Sequence, residues 1–210
     1  MKIKFKIFTL LIMSVSVFFT ASKEIETIKI GEAAPLADRK MESTNGEKLS
    51  LLDIKKEKGL LVVFSCNTCP FVVGGGNFEG WEKDYNELYT LVETKNIGMV
   101  LVNSNEAKRK NGDSMKDMKA RANDQKYAMN YILDKNHEMA DAFGARTTPH
   151  IFLFDADMKL IYSGAIDNTW NPSEKEKESY LEDALNEFST NKSISNPATA
   201  PKGCSIKRKS

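Results

Sequence analysis

Residues 64–77 read FSCNTCPFVVGGGN and hold two of the chain's three cysteines, Cys66 and Cys69. A Cys-x-x-Cys serves three chemistries: a redox centre, half of a metal site, or a plain structural disulfide. Cys66 follows the apolar run Leu60-Leu61-Val62-Val63-Phe64 and precedes residues at helical spacing, which predicts a strand-to-helix junction. A thiol at a helix N-terminus meets free N–H groups and the positive end of the helix dipole, and both favour its anion. The thiolate is the nucleophile of disulfide exchange, so this placement predicts a lowered pKa at Cys66. Cys69, three residues on, shares the helix face, where a second thiol can resolve a mixed disulfide. Pro70 suits the first helical turn, where the N–H it lacks would be unpaired. Gly74, Gly75 and Gly76 each cost about 1 kcal/mol against alanine inside a helix. They either leave a flat surface for a docking partner or mark a local break. A phosphate-binding glycine loop is rejected, because these glycines follow the cysteines instead of bridging strand and helix.

The ends of the chain bear on the cysteines. Lys2, Lys4 and Lys6 precede an uncharged apolar run of 13 residues, Ile7 to Phe19, and then the small residues Thr20-Ala21-Ser22. This order predicts a secretory signal peptide over residues 1–22, since a membrane helix needs roughly 20 apolar residues. An uncleaved anchor is the other reading. The expected location is therefore periplasmic or extracellular, without stable membrane insertion once the signal is cut. Removing three lysines and no acids takes the net charge from +1 to −2, leaving no electrostatic footprint for nucleic acid. Residues 23–191 suffice for one domain with its own core, and 192–210 form a tail rich in Ser, Pro and Lys. Three cysteines are too few for a disulfide scaffold, and an odd count leaves one thiol without an intramolecular partner. That count leans toward exchange chemistry.

The elements around the motif follow from periodicity. Asn45-Gly46 predicts a two-residue hairpin turn near the N-terminus. Phe78, Trp81, Tyr85, Leu88 and Leu91 predict one amphipathic helix after the cysteines. Met99 to Val102 is a second buried strand, and Asn103 to Lys110 a loop in which Lys108-Arg109-Lys110 is solvated. A helix through Met115, Met118 and Ala122 follows, then a strand at Tyr131-Ile132-Leu133 and a short helix from Met139 to Phe143. His150–Phe154 and Leu160–Tyr162 are two more strands. The last helix is expected to open on a capping box of Ser173 and Glu176 and to bury Tyr180, Leu181, Ala184, Leu185 and Phe188. Strands alternating with helices predict an α/β fold around a central mixed sheet, with a right-handed parallel crossover first.

Four motifs together resemble the thioredoxin superfamily, and within it the redoxin or peroxiredoxin-like branch: Ala34-Pro35-Leu36, CNTCPF from Cys66, TPHIFLFD from Thr148, and GCSIK from Gly203. The resemblance runs over nearly the whole chain after residue 22. It implies a thioredoxin-like fold and a thiol–disulfide oxidoreductase in which Cys66 attacks and Cys69 resolves. It also implies a cis Pro149 opposite the cysteines, with Thr148 offering its backbone to an extended substrate strand. The partners implied are protein thiols or disulfides and an unidentified reductant, with no organic cofactor. An ungapped alignment of the strand instead puts Cys69 at the attacking position, since only Ser65 separates Phe64 from Cys66.

Two alternatives remain open on the residues. A thiol peroxidase needs a hydroxyl and an arginine at its thiolate, and Pro149 stands where that arginine is expected, with Arg146 on the wrong side. A copper or zinc carrier would add His150 or His137 to the two sulfurs. Cys204, in the tail, is either a third thiol in a relay or a bystander beside a small anchor, Ile206.

Overall fold

The computed structural model describes residues 26–209. The expected signal peptide lies outside the described residues. In chain order the elements are β1 (Met41–Glu42), β2 (Lys48–Leu49), α1 (Leu51–Ile54), β3 (Gly59–Ser65), α2 (Pro70–Val73), α3 (Tyr85–Thr94), β4 (Ile97–Asn103) and α4 (Met115–Asp124). There follow β5 (Asn130–Leu133), α5 (Glu138–Phe143), β6 (Thr147–Thr148), β7 (His150–Phe154), β8 (Leu160–Gly164), α6 (Tyr180–Ser189) and β9 (Cys204–Ser205).

Five strands form the central sheet in the order β5-β4-β3-β7-β8. β3 pairs in parallel with β4 and β4 with β5, while β7 runs antiparallel to both β3 and β8. This is the mixed thioredoxin-like sheet. All seven residues of β3 are buried, because helices cover both faces and leave no solvent side for polar alternation. Alternate residues feed two cores. Leu61 and Val63 pack with Trp81, Tyr85, Met118, Leu181 and Leu185 on one face, and both Cys66 and Cys69 belong to that cluster. Leu60, Val62 and Phe64 pack with Leu51, Met139, Phe143 and Phe152 on the other. Each such side chain contributes about 1.5–3 kcal/mol by leaving water, so the end of β3 is a rigid platform.

Several local expectations are corrected. The helix after the cysteines is not continuous: α2 ends at Gly74, whose φ of 93° stops the helical path, and a Cβ there would sit 2.6 Å from the Glu79 carbonyl oxygen. The glycines therefore mark a break. Trp81 opens a 3-10 turn over Trp81–Asp84, and α3 starts only at Tyr85. The N-terminal hairpin forms, but Ser43 N–H donates to the Glu47 carbonyl across a three-residue loop with Gly46 at φ 91°, not across a two-residue turn. The last helix begins at Tyr180, not near Ser173. Asn171 Oδ1 accepts from the Ser173 N–H and Asn168 Oδ1 from the Glu178 N–H, holding that segment as a loop in competition with helix.

The tail is irregular over most of its length but firmly seated. Ala198 bridges Ser163 at the edge of β8, β9 pairs antiparallel with β6, and Ile206 is buried in the second core. Among the described residues no helix is long and apolar enough to cross a membrane.

Candidate active site

Cys66 follows the last residue of β3, and Cys69 is the N-cap residue of the four-residue α2. The expected position of Cys66 at a helix N-terminus is thus corrected: the chain turns through Asn67-Thr68 first, and Cys69 takes that place. The turn is held from below by Asp113. Its carboxylate accepts from the Asn67 N–H at 2.8 Å, the Thr68 hydroxyl at 2.9 Å, Asn103 Nδ2 at 2.8 Å and Asn105 Nδ2 at 3.2 Å. Four donors offset the desolvation of a fully buried anion.

Arg109 is part of this floor and not a solvated loop residue. Its guanidinium donates to Asn103 Oδ1, to the Asn103 and Asp134 carbonyls and to the Asp113 carbonyl at 2.7–2.9 Å. Sequence reading missed Asp113 and Arg109. The one local signal was that Asp113 precedes the capping box of Ser114 and Asp117 that opens α4; nothing in it pointed across the fold to residues 66–69.

The structure brings all five sequence-predicted site residues together. The Thr148–Pro149 bond is cis. The Thr148 hydroxyl lies 3.2 Å from Cys66 Sγ, and Cys69 Sγ lies 3.1 Å from the Thr148 carbonyl oxygen. Cys204 pairs with Thr148 across the β6–β9 ladder. All three cysteines are thiols, Cys66 and Cys69 buried and Cys204 partly exposed.

The two motif cysteines stand in opposite electrostatic states. Cys69 is held down to about 5, first because the Cys66 S–H donates to it, and further by the thiol and backbone N–H of Cys204 and the Thr148 hydroxyl. Burial opposes this anion. Cys66 is pushed up, since its proton is held by Cys69, burial disfavours its charge and the Asp113 carboxylate repels it. The lowered pKa expected at Cys66 therefore falls on Cys69. Cys204 is pushed up to about 11, chiefly by burial and next by Cys69.

His150 does not join the sulfurs. Its Nδ1 accepts from the Arg146 N–H at 3.1 Å, Nε2 lies 3.3 Å from Ser163 Oγ, and its ring packs on Phe152 with centroids 4.4 Å apart. Burial, then the Arg146 charge, lowers it to about 3, so it is neutral. His137 Nδ1 pairs with Asp141. Among the described residues no group of three or more His, Cys, Asp or Glu is placed to hold a metal. Four arginine side chains are engaged away from the thiols, with Glu138 (Arg39), Asn103 (Arg109), Glu82 (Arg121) and Asp141 (Arg208). Trp170 packs against the first core, with Lys202 Nζ 3.6 Å from its ring centroid.

Known proteins share this framework. An uncharacterized conserved protein of Geobacillus kaustophilus is 28% identical over 86% of this chain and 93% of its own, with a TM-score of 0.76. A hypothetical protein, SMc02350, of Sinorhizobium meliloti 1021 is 26% identical over 88% of this chain and 97% of its own, at 0.77. A putative thiol:disulfide interchange protein DsbE of Chlorobium tepidum is similar in fold, at 16% identity over 78% of this chain and 99% of its own and a TM-score of 0.57. No curated protein matches the chain in sequence. Residues 29–185 match the model of the Redoxin family, and the chain belongs to that family of the thioredoxin superfamily.

Proposed function

We propose that the protein is an exported thiol–disulfide oxidoreductase whose Cys66 and Cys69 cycle between dithiol and disulfide. The observation that carries this reading is the convergence of both buried sulfurs on Thr148 beside the cis Pro149, with Cys66 Sγ 3.2 Å from the Thr148 hydroxyl and Cys69 Sγ 3.1 Å from its carbonyl oxygen. Cys69 forms the mixed disulfide, as the lower-pKa sulfur at the N-cap of α2. Cys66 holds its proton while Cys69 is an anion. When Cys69 enters a mixed disulfide that charge is gone, and Cys66 can pass its proton to the departing thiolate and close the Cys66–Cys69 disulfide. This assigns the attack to Cys69, in place of the Cys66 attack implied by the family resemblance.

Export is supported by the basic, apolar and small-residue order of residues 1–22, and N-terminal sequencing of the secreted protein tests it. The partners are protein thiols or disulfides, with sulfur carrying the electrons. A redox titration with thiol labelling mapped by mass spectrometry tests the centre. Cys66 and Cys69 should oxidise together and reversibly, at a potential above the roughly −300 mV of structural disulfides. A single sulfenic acid formed with peroxide, and no pair, would replace this reading with a thiol peroxidase.

A further inference from the structure

Cys69 is 3% exposed and Cys66 1%, so while β9 is seated neither sulfur meets an external protein directly. β9 lies against Cys69, whose anion is favoured by the Cys204 thiol and backbone N–H. Its pairing with β6 sets Cys204 opposite Thr148, and Gly203 makes the approach possible: a Cβ there would sit 2.2 Å from the Thr148 carbonyl oxygen. Lys202 over Trp170 on one side and buried Ile206 on the other fix the strand. The strand therefore lies along the Thr148 backbone and presents a thiol to Cys69. Cys204 is also the only one of the three that reaches solvent.

We propose that Cys204 is a third catalytic thiol, the port through which an external protein dithiol exchanges with the buried Cys66–Cys69 disulfide. This rests on the reading of Cys66 and Cys69 as an exchange pair. In the oxidised protein the Cys204 sulfur, as thiolate, attacks Cys69 Sγ. The Cys69–Cys204 bond forms, the Cys66–Cys69 bond breaks, and Cys66 leaves as a thiolate that takes up the proton Cys204 gave up. One thiol of the external dithiol then attacks the exposed Cys204 sulfur and expels Cys69. The second external thiol displaces Cys204, so the partner leaves as a disulfide and all three cysteines are reduced.

Each step has one favoured participant, the leaving group of the second and the attacking thiol of the first. Cys69 is a good leaving group, because the donors around it stabilise its anion. In the oxidised form Cys69 carries no charge, which removes one of the causes that holds the Cys204 proton on.

The test uses the full chain after its N-terminal processing, with a reduced protein dithiol such as thioredoxin as the probe. Oxidised Cys66→Ser should map as an intramolecular Cys69–Cys204 disulfide. Cys204→Ser should still form the Cys66–Cys69 disulfide, yet accept electrons from the probe at least about tenfold more slowly. A merely covering tail predicts the opposite sign, since loosening it exposes Cys69. Unchanged or faster exchange in Cys204→Ser, with its Cys66–Cys69 disulfide intact, would overturn the relay and leave the oxidoreductase reading standing. Absence of the Cys66–Cys69 disulfide from the oxidised wild type would overturn both.

Discussion

The sulfur cluster has a floor and a roof, and they are held in different ways. The floor is the Asn67-Thr68 turn, fixed by a buried carboxylate with four donors and braced by Arg109 through three residues. The roof is a two-residue ladder, one buried isoleucine, a lysine on an indole face, and tail hydrogen bonds from Lys207 to Asn105 and from Arg208 to Asp141 and the Ala145 carbonyl. Removing one partner from the floor leaves several buried polar groups unsatisfied, whereas in the roof only the buried Asn105 Oδ1, which accepts from the Lys207 N–H, would be left so. The difference separates what must stay still from what can open. The thiolate geometry depends on the floor, and access to it depends on the roof.

Four experiments test that contrast, beginning with the largest effect. Cys69→Ser should abolish disulfide exchange, by about a thousandfold or more, equivalent to roughly 4 kcal/mol in the barrier. A steady-state assay against a disulfide substrate reads it, and residual activity near wild type would move the reacting sulfur elsewhere. Next, Asp113→Ala should cost about 2–4 kcal/mol of stability, since four buried donors lose one charged acceptor. Urea unfolding measures this, and a cost under about 0.5 kcal/mol would mean that the floor is not fixed as described. Asp113→Asn should keep part of that stability while lowering the Cys66 pKa, because the repelling charge is gone.

Ile206→Ala should loosen the roof by about 1–3 kcal/mol. Hydrogen exchange should quicken in residues 198–208 while β3 stays protected. Equal acceleration in both would show that floor and roof open as one unit. The smallest change is in titration. The thiolate absorbance of the reduced protein should persist as pH falls and disappear through about 5. Thr148→Val should move that midpoint upward by removing a donor. Stability follows with a definite sign. Cys69 lies below the usual thiol value of 9.0, so its contribution to the reduced protein is full above that pH. It is lost as pH falls toward about 5. Cys66 lies above the usual value and opposes it only as pH rises past 9.0. The oxidised protein should lack both effects.

Much of this molecule was legible from local pattern. The central strands were, because five consecutive apolar residues at Leu60–Phe64 fit only a strand buried on both faces. The buried face of α6 was legible from its spacing, although its start was not, because Asn168 and Asn171 hold residues 171–178 by contacts that no periodicity encodes. The Cys-x-x-Cys and Thr148-Pro149 marked the reacting end of the sheet. Assigning the anion to a cysteine from sequence assumed that the helix begins at Cys66; the helix begins after Cys69, which makes no capping hydrogen bond, and its low pKa comes from Cys66, Cys204 and Thr148.

By itself the sequence determined the thioredoxin-like sheet, the family, and the residues able to do sulfur chemistry, because these depend on side-chain type and short-range spacing. Only the tertiary structure decided which thiol is ionised, what anchors the turn, and where the tail lies. Those outcomes depend on groups 45 and more residues away in sequence: Asp113 under Thr68, Thr148 beside Cys66 and Cys69, and Cys204 opposite Thr148. Burial and hydrogen bonding set a pKa through distance in space, and that distance exists only once the chain has closed.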